Sequence, residues 1–464
     1  MNFAWSIILL SVVAATRYEP NWESLDSRPL PKWFDEAKFG IFMHWGVFSV
    51  SAVGKTYSEW FWWYWQGEHH KDLVDYMDKN FGPSFAYADF APDFKAEFYD
   101  PNKWAEIIQA SGARYAVLTA KHHEGFCLWP SNYSFNWNAM DMGPRRDLIG
   151  DYVAALRALK GPKVHEGLYH SLYEWFNPMY LLDKTNNFKT QFYSLGKALP
   201  ELYELVDKYE PELIWSDGDI GPIPYRNSTT FLAWLYNDSP VKDQVVVNDR
   251  WGDGSSCKHG GYFNCADRYH PGKMQRHKWE NCLTIDRNSW GFRKETSLSD
   301  ILSSKQLIKG LIETVAFGGN YLLNVGITAS GMITPIFEDR LRDIGHWLQT
   351  NGEAIFATVP LHPIQQDLTT DSVYYTYINA SKTAYALMTE WPQDYILRLE
   401  ASPFSKQLPN KVELLIRPGT LVPVSLCRNP QNSSQFLVNL QTDSFGKHSP
   451  PDVQFAWVLK LSLL

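Results

Sequence analysis

Asp217 and Asp219, separated by Gly218, close the stretch Glu212-Leu213-Ile214-Trp215-Ser216-Asp217-Gly218-Asp219. Carboxylates placed there can attack an electrophilic carbon or pass a proton to a departing group. The residues before them, Leu213–Ser216, form a short apolar run after Pro211 and read as a buried strand. In barrels of alternating strands and helices, the carboxyl ends of strands carry the chemistry. Asp-Gly-Asp is also ordinary turn chemistry, so its meaning depends on what the other strand ends carry.

Those ends are polar one after another. His44 closes the apolar run Phe39–Trp45, and Glu59 and Trp60 lie in the aromatic stretch Tyr57–Trp65. A third region is Lys121-His122-His123-Glu124, followed by Tyr169 in Gly167–Ser171 and Arg250 in Val247–Gly252. A last group holds Asp267 after Asn264-Cys265, and Glu280 and Cys282 in His277–Cys282. Imidazole, guanidinium and carboxylate groups grip hydroxyls, and aromatic rings wall a sugar site. Adjacent histidines on a strand point to opposite sides, which disfavours a paired metal site at His122 and His123. At a strand end both can reach one polyhydroxy ligand. His69-His70 lies in a charged stretch and reads as solvated surface.

These residues need a scaffold, and the chain alternates strand-like and helix-like segments from Pro31 for about three hundred residues. Predicted strands are 39–45, 115–120, 166–172, 213–216, 244–248, 283–285 and 321–325. Predicted helices are 101–111, 147–159, 200–208, 304–315 and 335–349. No Gly-x-Gly-x-x-Gly follows the first strand, so a dinucleotide fold has no support. The expectation is an α/β chain with a (β/α)₈-like, TIM-type barrel over 16–360. Short β-rich runs separated by turn residues follow, predicting a C-terminal antiparallel β-sandwich over 361–464.

Composition narrows the function classes. Of 464 residues 45% are hydrophobic, which marks a globular chain, and an aromatic share of 15% suits both a core and sugar platforms. A net charge of -8 without a basic block disfavours nucleic acid and anionic membranes as partners. Residues 1–15 resemble a secretory signal ending Val13-Ala14-Ala15, and no stretch is long enough to span a bilayer. Sequons at Asn132, Asn227, Asn237, Asn379 and Asn432 fit secretion. Five cysteines leave at least one thiol without an intramolecular partner; Cys257 and Cys265 are close enough to bound a small loop, and no spacing suggests zinc.

Taken together, the motifs resemble the α-L-fucosidase family of retaining exo-glycosidases. The matching pieces are Phe39–Gly46, Glu59-Trp60-Phe61, Lys121–Phe126, Leu168–Phe176, Trp215–Gly218, Asn248–Gly252, Lys278–Cys282 and Gly318–Asn324. The resemblance implies Asp217 as nucleophile and either Glu280 or Asp267 as acid/base. It implies fucose binding by His44, Glu59, Trp60, His122, His123, Tyr169, Trp215 and Arg250, with Cys282 packing beside the site. Trp279 beside Glu280 supplies an apolar wall that favours a protonated acid there. Retention needs two carboxyl groups and a covalent fucosyl-enzyme; no cofactor and no metal is expected. The implied substrates are fucosylated glycans, glycoproteins or glycolipids, met in the lysosome or outside the cell by a homo-oligomer. Ile220 and Ile327 depart from residues common among animal members, which bears on the preference for the group that leaves. The rival readings are a silent fucose-binding lectin on the same fold and a metal-dependent hydrolase using His44, His122 and His123.

Overall fold

The computed structural model describes residues 17–404, 408–441 and 455–463; the leader expected over 1–15 lies outside them. Seven strands form one parallel sheet: β1 (Phe39–His44), β2 (Tyr115–Lys121), β3 (His165–Ser171), β4 (Leu213–Asp217), β5 (Val246–Val247), β6 (Trp279–Thr284) and β7 (Gly319–Gly326). Their order is β5-β4-β3-β2-β1-β7-β6. Most are buried along their whole length, which is why they read as continuous apolar runs rather than alternating ones.

The sheet curls into a TIM-like half-barrel of seven strands, not eight. Between β5 and β6 the chain forms neither helix nor strand. Residues 261–264 fill that gap as a makeshift stave. Gly261 N–H donates to Val247 O (3.1 Å) on one side; on the other, Phe263 N–H donates to Lys278 O and Glu280 N–H to Phe263 O (2.9 Å each). The turn leading in needs Gly260, at φ +105°, because a Cβ there would lie 2.3 Å from Asn248 O. β5 is shorter than the predicted 244–248, since the N–H groups of Gln244 and Val245 turn back to Val241 O. β6 begins at Trp279 rather than 283, which moves Glu280 from a loop into the barrel wall.

Helices cover the outer face where the 3.6-residue period predicts them. Asp100 caps Pro101–Ala110, Asp147 caps Leu148–Arg157, and Ser303 with Gln306 forms a capping box on Ser304–Ala316. Inside the barrel, Phe42, Tyr115, Val117, Tyr169, Trp215 and Leu322 pack as one cluster.

After the helix Pro335–Asn351 the pattern becomes antiparallel. β8 (Val359–Pro360), β9 (Val373–Ile378), β10 (Thr383–Met388), β12 (Lys411–Arg417), β13 (Thr420–Pro423) and β16 (Trp457–Ser462) make one sheet. β11 (Ile396–Glu400), β14 (Ser425–Arg428) and β15 (Gln435–Asn439) make a second. Strand alternation divides the larger sheet's contacts. Tyr375, Ala386 and Leu459 face the small sheet, while Tyr374, Leu387 and Val458 join the barrel's helical layer. Trp347 sits at that junction, 2% exposed, with its indole N–H on Ala456 O at 2.9 Å.

Replacing Trp347 by Ala should therefore lower unfolding stability by about 3–5 kcal/mol. Urea unfolding checks this, and a loss below about 1 kcal/mol would contradict a packed junction.

Candidate active site

A cavity of about 320 Å³ opens at the carboxyl ends of the parallel strands. His44, Glu59, Trp60, His122, His123, Tyr169, Trp215, Asp217, Arg250, Asp267 and Cys282 all line it. Of the expected catalytic and sugar-binding residues, Glu280 alone does not.

Asp217 ends β4, and Gly218 turns the chain at φ +72°, where a Cβ would meet the Tyr173 ring at 2.3 Å. Asp217 Oδ1 accepts from Arg250 Nη1 at 2.9 Å, and Oδ2 accepts from the Tyr169 hydroxyl at 2.8 Å. His123 Nε2 stands 3.5 Å from the same Oδ2. Burial by itself would raise the Asp217 pKa. The Arg250 charge and the hydrogen bonds from Tyr169 and Arg250 outweigh it and hold the carboxyl well below its usual range. Arg250 lies 4.7 Å over the Trp215 ring, and its Nη2 donates to Asp267 Oδ1 at 2.6 Å. One guanidinium thus carries two carboxyl groups.

The hydrogen-bonding walls are equally defined. Asn324 donates its amide to Thr284 Oγ1 and Trp290 O, so its oxygen accepts from His44 Nδ1 at 2.7 Å. Burial lowers the His44 pKa to about 3, which leaves a neutral ring with Nε2 as acceptor. His122 and His123 lie just past the end of β2, their rings 4.2 Å apart, and both face the cavity. Burial and the neighbouring His122 push the His123 pKa well down. Glu59 Oε2 accepts from Ser289 Oγ and Gly291 N–H. Its Oε1 is buried without a partner in the protein, a state that a ligand hydroxyl would relieve. Trp60 packs edge-on against His123 and Trp175. Burial raises the Cys282 pKa far above its usual value, which keeps this side chain a neutral thiol in the cavity wall.

Glu280 has another place. The period of two along β6 sends Glu280 and Cys282 inward, with Glu280 one layer deeper, fully buried beneath Trp215. Its carboxyl accepts from the Tyr115 hydroxyl (2.7 Å), Trp215 Nε1 (3.1 Å) and Asn264 Nδ2 (3.0 Å). Burial pushes its pKa up to about 7 against those three donors.

Sequence reasoning gave no role to Tyr173 or Trp290 and assigned Asp219 none beyond its place beside Asp217; all three also line the cavity. Asp219 accepts from Ser256 Oγ at 3.0 Å, and burial together with the Asp217 charge raises its pKa. Its place in the Asp-Gly-Asp stretch was the available signal. Trp290 arrives on the turn after β6 and packs 5.4 Å from His44. Among the described residues no group of three or more His, Cys, Asp or Glu is placed to hold a metal ion. Cys257 pairs with Cys265, and Cys127, Cys282 and Cys427 are free.

A TIM-like sheet with an ionised carboxyl, histidines and aromatic walls around a sugar-sized cavity defines a barrel glycoside hydrolase. An α-L-fucosidase family model matches residues 7–353, and a model of the α-L-fucosidase C-terminal domain matches 365–462. The chain is 51% identical to the tissue α-L-fucosidase of Mus musculus over 97% of its length and 96% of the relative's. It is 55% identical to the plasma α-L-fucosidase of Homo sapiens, over 82% and 80% respectively. The crystal structure of Thermotoga maritima α-fucosidase with a mechanism-based inhibitor superposes with a TM-score of 0.79 at 28% identity, covering 96% of this chain and all of that one. The chain belongs to the α-L-fucosidase family, and its activity is that of an α-L-fucosidase. A silent lectin is not supported.

The Glu280 shift makes a stability prediction. Between its ordinary value of 4.5 and about 7, folded protein keeps a proton that the unfolded chain has released. Stability contributed by this group therefore falls as pH rises through that window, by on the order of 3 kcal/mol at most. Glu280→Gln should flatten the profile relative to the wild type in urea titrations; parallel profiles would contradict the burial argument.

Proposed function

We propose that the enzyme hydrolyses terminal α-L-fucosides with retention, using Asp217 as nucleophile and Asp267 as acid/base. The observation that carries this is the Arg250 guanidinium, which bonds one oxygen of each carboxyl on its two terminal nitrogens. It makes the two carboxyls near neighbours, as in a retaining pair, whose carboxyls stand about 5–5.5 Å apart. Asp267 is favoured over Glu280 because its side chain is 45% exposed and lines the cavity. Glu280 is shut beneath Trp215 with its oxygens already bonded. In the first step an Asp217 oxygen attacks the anomeric carbon, the glycosidic bond breaks, and Asp267 gives its proton to the leaving oxygen. In the second, Asp267 takes a proton from water as the water attacks the same carbon and releases Asp217. The Thermotoga relative, crystallised with a mechanism-based inhibitor, supports a covalent intermediate. His44 Nε2, Glu59 Oε1 and His122 bind the sugar hydroxyls, and Trp60 covers the C5-methyl group.

The substrates we assign are fucosylated glycoproteins and glycolipids, met in the lysosome or outside the cell. Tissue and plasma relatives support that destination, as do exposed sequons at Asn132, Asn379 and Asn432. Asn237 is a poorer acceptor, since it is half-buried and its amide nitrogen bonds two carbonyls, Tyr18 O and Ala233 O, whereas the exposed Asn132 amide bonds only the Glu204 carboxylate.

Asp217→Gly should abolish turnover of an activated aryl α-L-fucoside, and azide should restore it with β-fucosyl azide as product. Asp267→Ala should cost about 10²–10⁴-fold in kcat/KM on a natural disaccharide and far less on an aryl fucoside with a good leaving group. Azide then intercepts the intermediate and yields α-fucosyl azide. Glu280→Ala should lose activity without regard to the leaving group; leaving-group dependence there, and none at Asp267, would reverse the assignment.

A further inference from the structure

Asp249 lies two residues beyond β5, fully buried, and has no cationic partner among the described residues. A carboxylate so placed needs other compensation, and here it comes from the backbone of a single loop. Asp249 Oδ2 accepts from the N–H groups of Cys257 (2.8 Å) and Cys265 (3.0 Å), and Oδ1 accepts from Asn264 N–H (3.1 Å). Cys257 and Cys265 are the two ends of the disulfide-closed loop. The disulfide joins those ends to each other; Asp249 joins both of them to the barrel.

Asp267 follows two residues after Cys265. Immediately beyond it, Arg268 N–H donates to Cys282 O on β6 at 2.8 Å. Asp267 is therefore strung between two fixed points, one on Asp249 and one on β6. Cys257, Cys265 and Arg268 all have left-handed φ angles, of 60°, 57° and 56°. Non-glycine residues keep such angles only where the surroundings impose them. The other side of Asp249 is tied to the nucleophile's strand. Ser216 Oγ donates to Arg250 O, and Asn248 exchanges hydrogen bonds with the Ser216 backbone.

We propose that Asp249 is a positioning residue for the reaction, its carboxylate holding the disulfide loop so that Asp267 faces Asp217 across Arg250. The proposal rests on Asp267 being the acid/base. Charge-assisted bonds from three N–H groups suit this purpose, since they fix a loop's start and end without a long side chain. An amide at the same position has one acceptor oxygen and turns an N–H₂ group toward backbone donors.

The test compares full-length wild type, Asp249→Asn, Asp267→Ala and the double variant on aryl α-L-fucosides of decreasing leaving-group ability and on a fucosyl disaccharide. Asp249→Asn should lose about 100-fold or more in kcat/KM on the disaccharide but less than about tenfold on the best leaving group. Its affinity for L-fucose should stay near wild type, and the double variant should be no worse on the disaccharide than Asp267→Ala. Equal losses on all substrates, or additive losses in the double variant, would make Asp249 merely structural and overturn the proposal. If Asp267→Ala is itself insensitive to the leaving group, the acid/base reading fails, and this proposal with it. If Asp267→Ala is sensitive and Asp249→Asn is not, the positioning role alone fails. Should Asp249→Asn not fold, hydrogen exchange on the wild type decides. The amides of Cys257, Asn264 and Cys265 should exchange as slowly as those of β4, and loop-like exchange would overturn the anchor.

Discussion

A buried guanidinium shared by two carboxyl groups sets the terms for everything around it. Arg250 bonds Asp217 and Asp267 at once and lies over Trp215. Two carboxyls this close would otherwise compete for one negative charge. With Arg250 present, Asp217 remains an anion in a site that would protonate an unassisted acid. Lysine could not substitute, since a single ammonium lacks the planar fork that reaches two acceptors while stacking on a ring. The Trp215 face contributes a further 0.5–2 kcal/mol or so to holding that fork in place.

The strands matter chiefly through how they hold this arrangement. β4 delivers Asp217, and Asn248 fastens the chain after β5 to Ser216 one residue earlier, which keeps Arg250 beside Asp217. The irregular stretch from 248 to 278 would be a weak wall for a barrel if it were left to itself. It is tied down by the stave at 261–264, the disulfide and a buried carboxylate. Behind β2 and β3 a different solution appears. Lys121 and Lys197 meet Glu174 and Glu201 in a buried cluster whose charges cancel, with His170 beside it. That cluster fixes the end of β2, from which His122 and His123 enter the cavity. Removing any one member would leave a buried charge unpaired, at a cost of about 3–5 kcal/mol.

Much of this was legible because it follows from burial. β1, β2 and β4 are apolar runs with hydrophobic neighbours on both faces, and their limits match the sequence expectation within a residue or so. The end-of-strand positions of His44, Asp217 and the His122–His123 pair followed directly. Three features were hidden for related reasons. β6 contains Glu280 and Asn281, and a strand whose inward residue is a carboxylate looks like a loop. Only Tyr115, Trp215 and Asn264, distant in sequence, reveal that Glu280 is a satisfied interior group. The stave at 261–264 has too few ladder bonds and too many nearby glycines to register as a strand. Asp249 stood beside Arg250 in a motif already noted, but its role depends on backbone N–H groups, which carry no signature in residue type.

The central claim is that Asp217 bonds covalently to the sugar, and trapping that bond tests it most directly. Incubating the enzyme with a 2-deoxy-2-fluoro-α-L-fucosyl fluoride should release fluoride and leave the fluorosugar as an ester that hydrolyses slowly, because the electron-withdrawing fluorine slows both steps and the good leaving group restores only the first. Peptide mapping by mass spectrometry should find the added mass on the segment containing Asp217, with the protein inactivated in proportion to labelling. A label on Asp219, Asp267 or Glu280, or inactivation without any covalent label, would contradict the account.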